Sequence, residues 1–106
     1  MSVTYEIILK SQLGPKNGSF RIRKSGERLT GILNLLEHKS LLAGSSLEKD
    51  GTFELRGRMW TPLGKADCML VGVLGERMIR GTLNVNGYPY ELSGREQVSI
   101  LKQKRS

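Results

Sequence analysis

Apolar and polar positions alternate with period two along almost the whole chain. Such alternation places successive side chains on opposite faces of a half-buried strand, and helical spacing is rare here. Val3-Tyr5-Ile7-Leu9, interleaved with Thr4, Glu6 and Lys10, predicts a first strand. Phe20 and Ile22 among Ser19, Arg21 and Arg23 predict a second, and Leu29-Gly31-Leu33-Leu35 a third. A fourth runs from Leu42-Ala43-Gly44 to about Leu47. Phe53-Leu55-Gly57-Met59, alternating with Thr52, Glu54, Arg56 and Arg58, gives the cleanest pattern and the fifth. Asp67–Val73, Met78–Val85 and Tyr88–Gly94 complete the set. Turn residues separate these segments at Lys24-Ser25-Gly26, Lys49-Asp50-Gly51, Leu74-Gly75-Glu76 and Asn86-Gly87, and a further turn is read at Glu37-His38-Lys39.

Eight short strands with tight turns predict an all-β fold: a closed eight-stranded antiparallel up-and-down barrel, because closure removes exposed sheet edges. Gly31, Gly44, Gly57, Gly72, Gly81 and Gly94 each stand two places after an aliphatic residue. Glycines so placed let a sheet bend into a barrel; relief of clashes in a two-sheet sandwich is the alternative. The inward set then comprises Val3, Tyr5, Ile7, Leu9, Phe20, Ile22, Leu29, Leu33, Leu35, Leu42, Phe53, Leu55, Met59, Leu70, Leu74, Ile79, Leu83, Val85, Tyr90 and Leu92. A barrel of eight strands is either filled by side chains or holds one small ligand, and the many leucines point to filling. On the outward side, Ile8, Ile32, Leu36, Met69, Val71 and Val73 break the polar rule. Strand six is thus apolar on both faces. It suits a homodimer contact through Met69, Val71 and Val73, or a strip covered by Val98, Ile100 and Leu101.

The pattern recurs. Gly26-Glu27-Arg28-Leu29-Thr30-Gly31-Ile32-Leu33-Asn34-Leu35 resembles Gly75-Glu76-Arg77-Met78-Ile79-Arg80-Gly81-Thr82-Leu83-Asn84-Val85, with Met78 inserted. Leu29 and Ile79, Asn34 and Asn84, Gly14 and Gly64, and Gly44 and Gly94 keep one 50-residue offset. The expected organisation is a single barrel domain over residues 1–94, made of four-stranded pseudo-repeats at about 1–50 and 51–94, with a basic C-terminal tail at 95–106.

The net charge is +7, of which residues 95–106 hold Arg95, Lys102, Lys104 and Arg105 against Glu96. The excess is therefore partly a tail property. One cysteine excludes an internal disulfide and a cysteine-based zinc site. No apolar run approaches the length of a transmembrane helix, and Met-Ser-Val-Thr-Tyr-Glu does not read as a signal peptide, so a cytoplasmic setting is expected.

Chemistry is thin. His38 is the single histidine and sits between Glu37 and Lys39, so no Ser-His-Asp set can form. Cys68 falls on the inward side of strand six, where a buried thiol is inert. The carboxylates are scattered among arginines, and Gly14-Pro15-Lys16-Asn17-Gly18 lacks the helix and the Lys-Ser/Thr of a phosphate loop. No enzyme, metal or cofactor is expected. Arg21, Arg23, Arg56, Arg58 and Arg80 should point outward, but strands two, five and seven are not neighbours in a meander, so nucleic acid is disfavoured as a partner. Connections 1–2, 3–4, 5–6 and 7–8 share one end, with loops expected at Gln12–Gly18 and Trp60–Lys65; short glycine turns are expected at the other. The first end gathers Trp60, Pro62, Lys16, His38 and Tyr88 as a candidate ligand site at the barrel mouth.

Tyr5-Glu6-Ile7-Ile8-Leu9, the loop Leu13-Gly14-Pro15-Lys16-Asn17-Gly18 and the run of aliphatic-x-Gly strands ending Tyr90-Glu91-Leu92-Ser93-Gly94 resemble small bacterial calycin-like (lipocalin- and avidin-like) barrel proteins of uncharacterised function. The resemblance spans residues 1–94, rests on structural motifs, and lacks the lipocalin Gly-x-Trp in the first strand. It implies a closed meander and ligand binding, and transfers no ligand residue. The expected function is a non-enzymatic barrel binding a small apolar or amphipathic ligand at one mouth. The alternatives are a protein-interaction module or homodimer, and a weak binder of nucleic acid or anionic surfaces.

Overall fold

The computed structural model describes residues 2–44 and 47–97. Eight strands follow one another: β1 (Ser2–Ser11), β2 (Gly14–Ser25), β3 (Arg28–Leu35), β4 (His38–Gly44), β5 (Thr52–Thr61), β6 (Gly64–Gly75), β7 (Met78–Val85) and β8 (Tyr88–Glu96). Each pairs antiparallel with the next, and β8 returns to β1, closing the barrel. The expected fold class is thus the observed one. No helix among the described residues is long and apolar enough to cross a membrane.

The alternation sets what goes inside. All twenty residues assigned inward are either buried or packed against the buried core, and Cys68 joins them. Ala66 and the polar Ser40 are buried too, which apolar patterning could not announce. The interior is occupied by side chains. Phe20 of β2 and Phe53 of β5 stack with ring centroids 6.5 Å apart. A Cβ at Gly31 of β3 would lie 3.0 Å from Leu55 of β5, so strands two apart around the barrel also touch directly. The filled alternative therefore describes this barrel.

Several boundaries differ from expectation. The stretches Gln12–Gly18 and Trp60–Lys65 are not loops. β1 and β5 run into two-residue turns, Gln12-Leu13 and Pro62-Leu63, each followed by a glycine at positive φ (Gly14, 105°; Gly64, 110°). Both turns are tied the same way. The Ser11 and Thr61 hydroxyls donate to the Gly14 and Gly64 carbonyls at 2.6 and 2.7 Å and accept the Leu13 and Leu63 amides. The turn read at Glu37-His38-Lys39 lies one residue earlier, at Leu36-Glu37, because Leu35 pairs with His38 and that register keeps Leu35 and Ser40 inward. β4 ends at Gly44 and Leu47 is outside it, packed against the core. The turn expected at Lys49-Asp50-Gly51 is observed: the Glu48 amide donates to the Thr52 carbonyl, the Gly51 amide donates to the Glu48 carbonyl, and Asp50 accepts the Thr52 amide and hydroxyl.

The 50-residue offset appears in the strand registers: Phe20 faces Leu33 as Leu70 faces Leu83, and Ile22 faces Gly31 as Gly72 faces Gly81. The shared Gly-Glu-Arg does not follow it. Gly26-Glu27 make the β2–β3 turn, whereas Glu76-Arg77 make the β6–β7 turn. Arg95 and Glu96, expected in the tail, extend β8, and residues 98–106 of that tail, with Val98, Ile100 and Leu101, lie outside the described residues.

Candidate functional site

The five rim residues do not converge. Trp60 is a strand residue whose neighbour Met59 points in, so the indole lies on the outer wall, 45% exposed, and neither plugs nor caps the mouth. His38 sits beside it with ring centroids 5.8 Å apart, and the Lys65 ammonium lies 5.3 Å from the indole centroid. Pro62 is in the adjoining turn. Tyr88 belongs to a separate group. It lies beside Tyr90 at 5.2 Å and accepts a hydrogen bond from the Gln12 side chain. Lys16 faces Leu9 across β1 and β2. The rim therefore carries a Trp60–His38–Lys65 cluster and a Tyr88–Tyr90–Gln12 cluster rather than one pocket.

Nothing at these positions is poised for covalent chemistry. No group of three metal-ligating side chains occurs among the described residues. The Cys68 thiol is pushed up to about 11 by burial, with the Asp67 carboxylate adding to it, so at neutral pH it is protonated and inert. Burial also raises the Tyr5 phenol, helped by Glu96.

The outer wall is more informative. Arg21, Arg23, Arg56, Arg58 and Arg80 all point outward and are exposed. β2 and β5 are indeed not neighbours, but the register decides what lies between them. Arg21 faces Ile32, which faces Leu41; Arg23 faces Thr30, which faces Ala43, which faces Arg56. Continuing that last register sets Leu41 beside Arg58. Two arginine pairs thus flank a strip of small and apolar side chains. Ile32 is 40% exposed and Leu41 66%, and a shallow groove runs along Arg21, Arg23, Thr30, Ile32 and Leu41. In the continued register, Lys39 and Trp60 stand one outward row nearer the rim.

Charge is uneven around the barrel. Arg21, Arg23, Arg28, Lys39, Arg56 and Arg58 project from the β2–β5 wall against one carboxylate, Glu54. On the remaining wall Lys10, Lys65, Arg80 and Arg95 are nearly balanced by Glu6, Asp67 and Glu91. Exposed ion pairs join Arg56 to Glu54 at 3.0 Å and Arg58 to Asp67 at 3.4 Å; Lys10 pairs with Glu91 at 3.3 Å. Arg21, Arg23 and Lys39 are in none of these pairs. Sequence reading missed this face because it compared the arginine strands with one another without the residues that lie between them, and did not have Leu41 among the outward apolar positions. Met69, Val71 and Val73 do lie outward as expected, with Val71 and Val73 exposed, but on one strand between Glu54, Thr82 and Arg80.

No family model, curated protein or solved structure matches the chain significantly.

Proposed function

We propose that the protein is a non-enzymatic binding barrel that engages an anionic partner through the outer wall formed by β2–β5. The observation that carries this reading is the apolar Ile32–Leu41 strip set between two outward arginine pairs. Contiguous exposed apolar side chains ringed by one sign of charge are the anatomy of a binding surface. The filled interior supports the wall over the lumen as the place of binding. A small apolar ligand at the rim has less support, since Trp60 and Tyr88 belong to separate clusters. A homodimer through Met69, Val71 and Val73 would rest on a strip only one strand wide.

Heparin chromatography tests the reading. The double variant Arg21→Glu/Arg58→Glu should elute at clearly lower salt than Arg80→Glu/Arg95→Glu, which removes the same charge from the other wall. Equal shifts would mean that retention reports net charge alone and would sink the assignment of the face.

A further inference from the structure

Resting on that reading, we infer that the anionic partner is the surface of an acidic lipid bilayer, with Ile32 and Leu41 entering the headgroup region while the flanking arginines meet phosphate and carboxylate groups.

Composition is the first argument. In the two central rows of this wall, β3 and β4 carry apolar (Ile32 and Leu41) or small (Thr30 and Ala43) side chains. Arg21 and Arg23 flank these rows on one side and Arg56 and Arg58 on the other, with Arg28 and Lys39 toward the two ends. Strands about 4.8 Å apart put the two arginine pairs about 14 Å from each other along the wall. A nucleic-acid strand stacks its bases on aromatic rings, and the strip between the arginine pairs carries none. A planar, deformable anionic surface with an apolar layer beneath it fits the basic border and the apolar centre at once.

The edge of the face adds a second argument. Trp60 stands exposed where this strip meets the rim, between His38 and Lys65. An amphipathic indole beside cations is the side chain that settles at the boundary between headgroups and acyl chains. Exposed apolar bulk between the arginine pairs is limited to Ile32 and Leu41, so binding would be reversible and strongly dependent on both salt and acidic lipid.

Co-sedimentation with vesicles is the test, using phosphatidylcholine alone and phosphatidylcholine mixed with phosphatidylserine. The chain should sediment with the mixed vesicles and not with phosphatidylcholine alone, and Trp60 emission should shift to the blue on binding. Ile32→Ser/Leu41→Ser changes exposed residues and should leave thermal unfolding and heparin elution unchanged while weakening vesicle binding about tenfold. Arg21→Glu/Arg58→Glu should abolish vesicle binding and lower heparin elution together. Vesicle binding indifferent to the Ile32/Leu41 pair would overturn insertion of these side chains. Absence of vesicle binding, with heparin retention still set by the β2–β5 arginines, would overturn the lipid assignment and leave the face to another anion. A fluorescent oligothymidylate bound more tightly than mixed vesicles at equal salt would give it to nucleic acid. Loss of any difference between the two walls on heparin would instead remove the underlying reading.

Discussion

The barrel closes at two seams, and they are built differently from almost the same pattern. β8 meets β1 over five facing pairs, from Tyr5 with Glu96 to Leu9 with Leu92. The Gln97 amide extends that seam by donating to the Thr4 carbonyl at 2.7 Å, and Lys10 pairs with Glu91 across it. Among the described residues, β4 meets β5 over two facing pairs, Leu42 with Gly57 and Ala43 with Arg56, and the Glu48 amide donates to the Thr52 carbonyl at 2.9 Å beyond them. By the 50-residue offset, the counterpart of Gly94 facing Ile7 would be Gly44 facing Gly57. The observed register is slid by two residues. Glycine placement gives the reason. Aligned by the offset, two residues without side chains would oppose each other and leave a void. After the slide, Leu42 packs over Gly57 and Leu55 lies over Gly44. In the other seam Gly94 already faces an isoleucine. Gly72 and Gly81, which do face each other, have the Phe53 ring against Gly72 to fill the space. Avoiding a cavity thus outweighs the repetition of the pattern.

The largest effect should come from forcing a methyl into each seam. A Cβ at Gly94 would overlap the Glu6 carbonyl oxygen, and one at Gly44 the Glu54 carbonyl oxygen. Backbone must move in both cases. The five-pair seam has little freedom to do so, and Gly94→Ala should cost about 3 kcal/mol. The two-pair seam can splay, so Gly44→Ala should cost about half as much. Urea midpoints at a common slope measure both. If Gly44→Ala proves equal or worse, the number of paired residues is not what separates the seams.

Cys68 sharpens the same comparison. Its partner across β5 and β6 is Gly57, the glycine at the weak seam, and its thiol points inward. Opening of the β4–β5 seam would expose it; opening of the β8–β1 seam would not. A thiol reagent should therefore label Cys68 about tenfold faster in Gly44→Ala than in the wild type, and the change should exceed that in Gly94→Ala, despite the larger loss of stability there. Alkali acts through the same residue. The folded thiol titrates near 11, above its ordinary range, so the protonated form is favoured in the barrel. The stability this contributes is intact below the ordinary thiol range and is lost as pH rises through about 11. Tyr5, also raised, adds loss in the same direction. Cys68→Ala should flatten the alkaline decline in melting temperature; an unchanged decline would assign it elsewhere.

How much of this was legible in the chain follows from what alternation encodes. Inside and outside are a property of one strand at a time, so Tyr5, Phe20, Leu55, Leu92 and the other inward residues could be read directly. Asn86-Gly87 declares its turn by residue type, because both positions take positive φ (51° and 83°). What depends on pairing was not legible. Trp60 looked like a loop residue beside Pro62, yet β5 carries on to Thr61 and turns it onto the outer wall. The basic face exists only because four strands align Arg21, Ile32, Leu41 and the β5 arginines, and a single-strand reading cannot align them. Ser40 is buried by register, with no hydrophobicity to mark it.

The smallest effect concerns the two turns that correspond at the 50-residue offset. Asn86-Gly87 joins β7 to β8 with residues suited to left-handed backbone. Its counterpart joining β3 to β4 is Leu36-Glu37, which holds φ at 55° and 66°. Side chains without a local hydrogen-bonding group pay about 1 kcal/mol or more for that region. The register forces the cost: with Leu35 facing His38, only two residues are left to reverse the chain. Exchanging the residues should therefore be asymmetric. Glu37→Gly should stabilise the barrel by about 1 kcal/mol, since relief of left-handed strain outweighs the added freedom of the unfolded chain. Gly87→Ala should destabilise it by about the same amount. A Glu37→Gly variant that melts no higher than the wild type would mean that Leu36 carries the strain, and Leu36→Asn should then recover the gain. Because this turn begins β4, the strand with the weak seam, stabilisation there should also slow labelling of Cys68, whereas a change at Gly87 should leave that labelling unaltered.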